Sequence, residues 1–222
     1  MNGPLRDGPG GSPGMILDAL GDPPPNESIS AAVEALRKGL VVGIPTDTVY
    51  GLAVDPWCPG ATDRLFAVKR RPRNVELPVF VSDVAQALEL APNLPGPARS
   101  LMEAFWPGPL TIVVPRGPSL TADLGDNTAT IGLRCPAHPV PLALCATSGP
   151  YATTSANLHG EPPIHEASAL AGSLPGVALV LDGGRCDGEP SSVVEVAEGT
   201  PRLIRSGGID WRHITRVASS RT

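Results

Sequence analysis

Aromatic residues are only 4% of this 222-residue chain, so Val, Leu, Ile and Ala must fill its core. Hydrophobic residues still reach 41%, which excludes an intrinsically disordered chain. No apolar stretch approaches ~18 residues, so no membrane-spanning helix is expected. The N-terminus lacks a charged segment followed by an apolar one, so no secretory leader is expected either. The four cysteines, Cys58, Cys135, Cys145 and Cys186, form no C-x-x-C pair and read as reduced structural thiols. The four histidines, His138, His159, His165 and His213, lack metal-ligand spacing, and no metal site is assigned. Neither G-x-x-x-x-G-K-[ST] nor a post-strand G-x-G-x-x-G occurs, so the two common nucleotide fingerprints do not apply. A net charge of -5 argues against a chain that coats nucleic acid non-specifically. A small anionic ligand, or a structured RNA docked on one face, stays open. These absences together suggest a cytoplasmic enzyme.

The stretch that organises what is present runs from Val41 to Arg73. The apolar run Leu40–Ile44 reads as a buried strand that breaks at Pro45 into the hydroxyl turn Thr46-Asp47-Thr48. A helical segment then follows, and it delivers four cations in five positions: Lys69, Arg70, Arg71 and Arg73. Strand ends in α/β folds are where ligands sit, and Lys and Arg hold phosphate. Upstream, residues 1–25 are Gly- and Pro-rich and read as a flexible or partly strand-like lead-in. Asn26 is placed as the cap of a helix with Ile29, Val33, Leu36 and Leu40 inward, terminated by Gly39. Thr62 is placed as the cap of a second helix.

Downstream, strands are expected at 77–81, 110–114, 130–135, 151–154, 177–181, 192–196 and 202–205. Helices are expected after a Ser82 cap, at 98–105, 138–147 and 164–171, and from Ile209 onward. Strands and helices mix without strict βαβ alternation, so the fold class is a single α/β domain around a twisted mixed sheet. No internal repeat or dividing linker is visible.

Each candidate residue has an ordinary structural reading as well. The four cations suit a solvated helix end that complements the helix dipole, yet like charges so close favour an anion among them. Ser155-Ala156-Asn157 is an ordinary turn, or a pair of side chains that reach one ligand. Thr46, Thr48 and Thr153 are good strand residues or ligand-reading hydroxyls, and Arg134 suits a free carboxylate. From these residues alone the reading is an α/β domain with a basic pocket for a phosphorylated small molecule.

A set of ordered segments carries the reading further: PTDTVYGL at 45–52, Lys69-Arg70-Arg71, WPGPLT at 106–111, GLRCPAHP at 132–139, TSAN at 154–157, SSVVE at 191–195 and LIRSG at 203–207. Together they resemble the YrdC/TsaC family of L-threonylcarbamoyladenylate synthases, from about residue 27 to 210. The resemblance implies a twisted, mostly parallel sheet with helices around a concave basic cavity. It divides the chain into a lead-in at 1–25, a YrdC-like domain at 26–214 and a tail at 215–222. The implied activity is that of a nucleotidyltransferase that joins L-threonine, bicarbonate or CO2 and ATP into threonylcarbamoyl-AMP, releasing pyrophosphate. The implied partners are a downstream threonylcarbamoyl-transferase complex and tRNA or double-stranded RNA, with no membrane. ATP is a substrate, with Mg2+ bound through its phosphates.

Carried onto this sequence, Lys69, Arg71, Ser155 and Asn157 form the catalytic set. The same four, with Thr130, Pro163 and Arg205, bind ATP. Thr48, Arg134, Thr153 and Ser191 bind threonine. The chain departs from the family pattern at Val75, where many members have Asn, at Phe80, where they have His, and at Ser191-Ser192-Val193-Val194-Glu195, where the family has S-T-V-V-D. Three competing readings remain: a YciO-like paralogue with little synthase activity, an RNA-binding module of the same fold, and a domain for carbamoyl transfer.

Overall fold

Pro45 ends one strand, but the chain does not pass into a helix after the hydroxyl turn. In the computed structural model, which describes residues 14–219 other than 119, 159 and 197, strand β2 (Val41–Ile44) turns back into β3 (Gly51–Val54). The two form an antiparallel hairpin with Gly43 opposite Leu52. Sequence reading misses β3, because Gly51-Leu52-Ala53-Val54 is short and looks like the entry to the helix beyond it.

That hairpin lies inside a ten-stranded sheet. The other strands are β1 (Met15–Asp18), β4 (Val79–Phe80), β5 (Leu110–Pro115), β6 (Thr130–Arg134), β7 (Tyr151–Ser155), β8 (Val177–Asp182), β9 (Ser192–Glu195) and β10 (Arg202–Arg205). Their order is β1-β8-β2-β3-β7-β4-β6-β5-β9-β10. Four neighbouring pairs are parallel and five antiparallel, so the sheet is mixed and the expectation of a mostly parallel one is corrected. Hairpin connections such as β2–β3 set that balance, since antiparallel strands need only a short turn.

The period-2 pleat sends alternate residues to two cores, one on each face. On β2 and β3, Val41, Leu52 and Val54 enter the larger core, whereas Val42, Ile44 and Ala53 enter the smaller. Helices α2 (Ala61–Lys69), α4 (Gly96–Phe105), α6 (Ala167–Ser173) and α7 (Trp211–Ser219) close the larger core with Leu65, Leu101, Leu170 and Ile214. Helices α1 (Asn26–Arg37) and α5 (Pro139–Ser148) close the smaller with Ile29, Val33, Leu36 and Leu144. Helix α3 (Val84–Leu90) adds Ala87 and Leu90 to the larger.

Several boundaries move for physical reasons. Asn26 is the first helical residue of α1 and caps nothing, and Leu40 lies beyond the helix because Gly39, at φ +68°, reverses the chain. Thr62 sits inside α2 and donates its hydroxyl to Asp123 O at 2.9 Å. Asp83, not Ser82, caps α3 by accepting from Gln86 N at 2.8 Å. Ile164 stays in a loop whose carbonyl accepts from Tyr50 N at 2.9 Å, so α6 begins at Ala167. Within the lead-in, β1 pairs in parallel with β8, and at the other end α7 runs across the 214/215 boundary drawn from sequence. Residues 1–13 and 220–222 of the expected lead-in and tail lie outside the described residues.

Candidate active site

The hydroxyl turn between β2 and β3 is tied by one side chain. Thr46 Oγ1 donates to Val49 O at 2.6 Å and accepts from the amides of Thr48 and Val49 at 3.0 and 3.2 Å. That knot holds Thr48 buried, with its hydroxyl 3.3 Å from Arg134 Nη1. Arg134 ends β6 and is itself only 4% exposed. Its Nε donates to Gly108 O at 3.1 Å and its Nη2 to Asp47 Oδ1 at 2.6 Å. Burial lowers the Arg134 pKa, and the Asp47 carboxylate opposes that shift. Asp47 lies in the hydroxyl turn noted from sequence but is not among the site residues chosen there. An acid between two buried threonines is the signal that points to it.

Register explains what surrounds this pair. Phe80 on β4 stands opposite Arg134 on one side and Tyr151 on the other. The Arg134 guanidinium lies 5.5 Å over the Phe80 ring, and the ring packs tilted against Tyr151 at 5.8 Å. Two residues further along β7, Thr153 emerges on the same face as Tyr151. Its Oγ1 is buried and has no hydrogen-bond partner, a costly state for a hydroxyl unless something else meets it.

The four cations of the run go four ways. Lys69, the last residue of α2, is 2% exposed and turns its ammonium into the turn after β7. It donates to Ser155 O at 2.6 Å, to Asn157 Oδ1 at 3.1 Å and also to Asn157 O. An ammonium has three protons, and all three are engaged. Ser155 Oγ donates to Asn157 Oδ1 at 2.5 Å, and the Asn157 amide donates to Leu158 O and Glu161 O at 2.9 and 2.6 Å. Burial and the neighbouring Arg71 charge bring Lys69 down to about 8, against three acceptors that favour its charged form.

Arg70, at φ +49°, reverses the backbone, so that Arg71 points back over the sheet end while Arg70 stays exposed. Arg71 donates to Val75 O and Glu76 O, both at 2.9 Å, and lies 3.4 Å from Thr154 Oγ1. Its pKa is lowered by burial first, with Glu76 opposing and Arg205 adding to the shift. Arg73 points elsewhere, onto Asp63 and Asp123 at 2.6 Å and Asp126 at 3.6 Å. It serves as an ion-pair partner for carboxylates away from the cavity.

On the far side, Arg205 of β10 donates to Ser191 O through Nε and Nη2, at 3.1 and 2.8 Å, and to Ser191 Oγ at 3.0 Å. Burial lowers its pKa. Ser191 Oγ in turn lies 3.0 Å from Thr111 Oγ1, and Thr130 Oγ1 accepts from Asn127 at 2.9 Å.

A cavity of about 480 Å³ opens among these groups. It is lined by Thr48, Arg71, Thr130, Arg134, Thr153, Ser155, Asn157, Pro163, Ser191 and Arg205, which are ten of the eleven site residues read from sequence. Lys69 is the eleventh. It sits behind the wall and holds Ser155 and Asn157 in place. Val75, Glu76, Phe80, Thr111 and Ile204 also line the cavity without having been chosen as site residues, although Val75 and Phe80 stood out as departures. Their signal is weak in sequence, because the register that brings them together is a tertiary property.

Among the described histidines, His138 accepts from Val140 N at 3.2 Å, His165 Nδ1 lies 2.5 Å from Cys186 O, and His213 packs edge-on against Phe105. His159 lies outside the described residues. No group of three or more His, Cys, Asp or Glu among the described residues could hold a metal ion. No helix of the described residues is long and apolar enough to cross a membrane.

A sheet end that gathers three arginines, a row of hydroxyls and an unpartnered buried Thr153 in one cavity is chemically suited to a small ligand with anionic and hydroxyl groups. The Sua5/YciO/YrdC family model, described as "Telomere recombination", matches residues 34–207, and the chain belongs to that family. A Mycobacterium tuberculosis relative is 38% identical over 194 residues, covering 86% of this chain and 89% of its own. The threonylcarbamoyl-AMP synthase of Bacillus subtilis is 38% identical over 193 residues, covering 85% of this chain but 56% of its own. Among solved structures, Pyrococcus abyssi Sua5 complexed with L-threonine superposes with a TM-score of 0.85 at 32% identity, covering 91% of this chain and 60% of that one. The chain thus spans a little over half the length of those last two proteins. Escherichia coli YciO superposes with a TM-score of 0.79 at 26% identity, covering 88% and 96%.

Proposed function

We propose that this chain is an L-threonylcarbamoyladenylate synthase, making threonylcarbamoyl-AMP and pyrophosphate from L-threonine, bicarbonate or CO2 and ATP. The observation that carries the reading is the convergence on one cavity of ten residues scattered from Thr48 to Arg205 that the resemblance implies, with the eleventh bonded to two of them. Relatives named threonylcarbamoyl-AMP synthase at 34–38% identity, and a Sua5 structure that holds L-threonine, support it.

Thr48, Arg134, Thr153 and Ser191 hold the amino acid, with Arg134 on its carboxylate. Arg71, Thr130, Ser155, Asn157, Pro163 and Arg205 hold the nucleotide, and Lys69 fixes the Ser155–Asn157 turn. The amine of threonine attacks the carbon of CO2, or of bicarbonate with loss of water, and gives a carbamate. A carbamate oxygen then attacks the α-phosphorus, and the bond to the β-phosphate oxygen breaks as pyrophosphate leaves. No protein nucleophile is needed. Positioning and neutralisation of phosphate charge by Arg71 and Arg205 supply the acceleration. Mg2+ would be held mainly by the nucleotide phosphates, since no ligand cluster is found among the described residues.

The product serves tRNA threonylcarbamoyladenosine formation through a downstream transferase complex in the cytoplasm. Pyrophosphate release from ATP that requires both threonine and bicarbonate tests this directly. A second reading, a YciO-like paralogue, is favoured by Val75 and Phe80 in the lining and by the YciO superposition. Release of pyrophosphate at no threonine concentration would decide for it.

A further inference from the structure

We infer that the outer edge of β1 is a docking edge, which takes an extended, Lys- or Arg-bearing segment of another protein as an eleventh strand. Strand β1 ends the sheet and has only β8 beside it, and neither strand lines the cavity. Ala19 N donates to Asp182 O at 2.8 Å. The period-2 pleat therefore turns the backbone of Leu17 towards β8 and that of Ile16 and Asp18 outward. Asp18 O is met by the Ser28 hydroxyl at 2.5 Å, which closes the edge at that point. The N–H and C=O of Ile16 and the N–H of Asp18 face away from the sheet, with no strand beside them among the described residues. A donor, an acceptor and a second donor in a row are what an added strand pairs with.

Sheets usually defend such an edge with Lys, Pro or a bulge. The opposite edge does so: β10 follows Pro201, carries Arg202 and Arg205, and breaks register between Leu203 and Arg205. On β1 the register is unbroken, and no Lys, Arg or Pro lies between Met15 and Asp22. Met15, Ile16 and Leu20 are instead 57%, 43% and 58% exposed, half of the six large apolar side chains so exposed among the described residues. That concentration on one short edge gives an added strand apolar side chains to cover as well as backbone to pair with. Charge selects the occupant. From Gly14 to Leu36 the chain carries Asp18, Asp22, Glu27 and Glu34 and no Lys or Arg. The Ser28 bond to Asp18 O sets the first turn of α1, with exposed Glu27, beside the strand end. Asp182 stands opposite Asp18 in register, and Arg185 is already paired with Glu166 and Asp187. An apolar segment flanked by cations complements this edge on both counts. A second copy of the chain would bring the same acids against these, and an RNA backbone would meet like charge.

The test is hydrogen exchange of the Ile16 and Asp18 amides in the full chain, alone and with an end-blocked Lys-Val-Thr-Val-Thr-Val-Lys peptide. Both amides are expected to exchange freely in the chain alone and to be protected by the peptide at about 1 mM or below. The same peptide with Glu in place of Lys is expected to bind about tenfold more weakly or worse. Ile16→Pro removes an outward N–H that the β1–β8 ladder does not use, so Tm stays near wild type while the peptide no longer protects Asp18. Asp22→Lys/Glu27→Lys reverses two exposed charges and is expected to weaken the Lys peptide about fivefold or more. It keeps the test open if Ile16→Pro does not fold. No protection at about 1 mM Lys peptide overturns the inference, as does an affinity unchanged by Ile16→Pro or by the charge reversal. Protection in the chain alone at every concentration would assign the edge to residues 1–13, and protection that grows with protein concentration would assign it to a second copy. Either result also overturns the inference.

Discussion

Replacing Lys69 with methionine keeps most of the stem's volume and removes the ammonium. Three oxygens then lose their charged donor: Ser155 O, Asn157 O and Asn157 Oδ1. A hydrogen bond to a charged group contributes roughly 1.5–3 kcal/mol, and relief from burying the ammonium offsets part of that loss. A net loss of about 3 kcal/mol from the closed form of the Ser155–Asn157 turn is expected. At tenfold per 1.4 kcal/mol, kcat/KM for ATP falls about 100-fold. The same net loss acts on global stability, so Tm falls by roughly 6–12 °C.

A pH profile separates this account from a simple loss of fold. Lys69 is held down to about 8, so wild-type activity falls as pH rises through that value and the turn loses its cation. The residual activity of Lys69→Met lacks that basic limb. The linkage to stability has the opposite sign. Between about 8 and 10.5 the unfolded chain carries the proton and the folded chain does not, so this group's contribution to stability rises with pH across that window. The assay is threonine- and bicarbonate-dependent pyrophosphate release from pH 6 to 9.5, beside thermal melts. A Lys69→Met protein that keeps kcat/KM for ATP within about threefold of wild type would refute the reasoning.

Thr153→Val removes a buried hydroxyl that has no partner in the protein. It is expected to leave Tm unchanged or slightly raised while lowering kcat/KM for threonine about tenfold, and melts beside kinetics check both. Asp47→Ala leaves the buried Arg134 charge without its counter-ion, a cost of about 3–5 kcal/mol that lowers Tm by roughly 10 °C and raises KM for threonine more than that for ATP. Arg73→Ala removes pairs to exposed carboxylates, so stability changes by about 1 kcal/mol or less and activity stays near wild type. A large loss of ATP affinity in Arg73→Ala would show that the cation run acts as one cluster, against the split seen in the structure.

Much of the fold is legible in local pattern. The continuous apolar runs at Val41–Ile44, Leu110–Pro115 and Val177–Asp182 are strands, and the four-three spacing of Ile29, Val33 and Leu36 is an inward helix face. Short elements escape that logic. Gly51–Val54 carries too few residues to show a period, and its pairing with β2 and β7 is what makes it a strand. Capping shows the same limit, because Ser82 and Asp83 are both capping residue types and only the backbone path places the Asp83 carboxylate on Gln86 N.

The sequence by itself determined the class of fold, the polar strand ends and the ordered segments that mark the family. Those depend on composition and neighbours along the chain. Only the tertiary structure decided how one run of four cations divides its work. Lys69 is buried behind the cavity wall, Arg71 faces the cavity, Arg70 stays exposed and Arg73 pairs with three aspartates. The left-handed turn at Arg70 and the partners each charge finds across the fold set those roles, and neither is encoded within the run itself. The corner formed by Arg134, Asp47, Phe80 and Thr153 has the same origin. Its members are far apart in sequence and meet because β4 is threaded between β6 and β7 in one register.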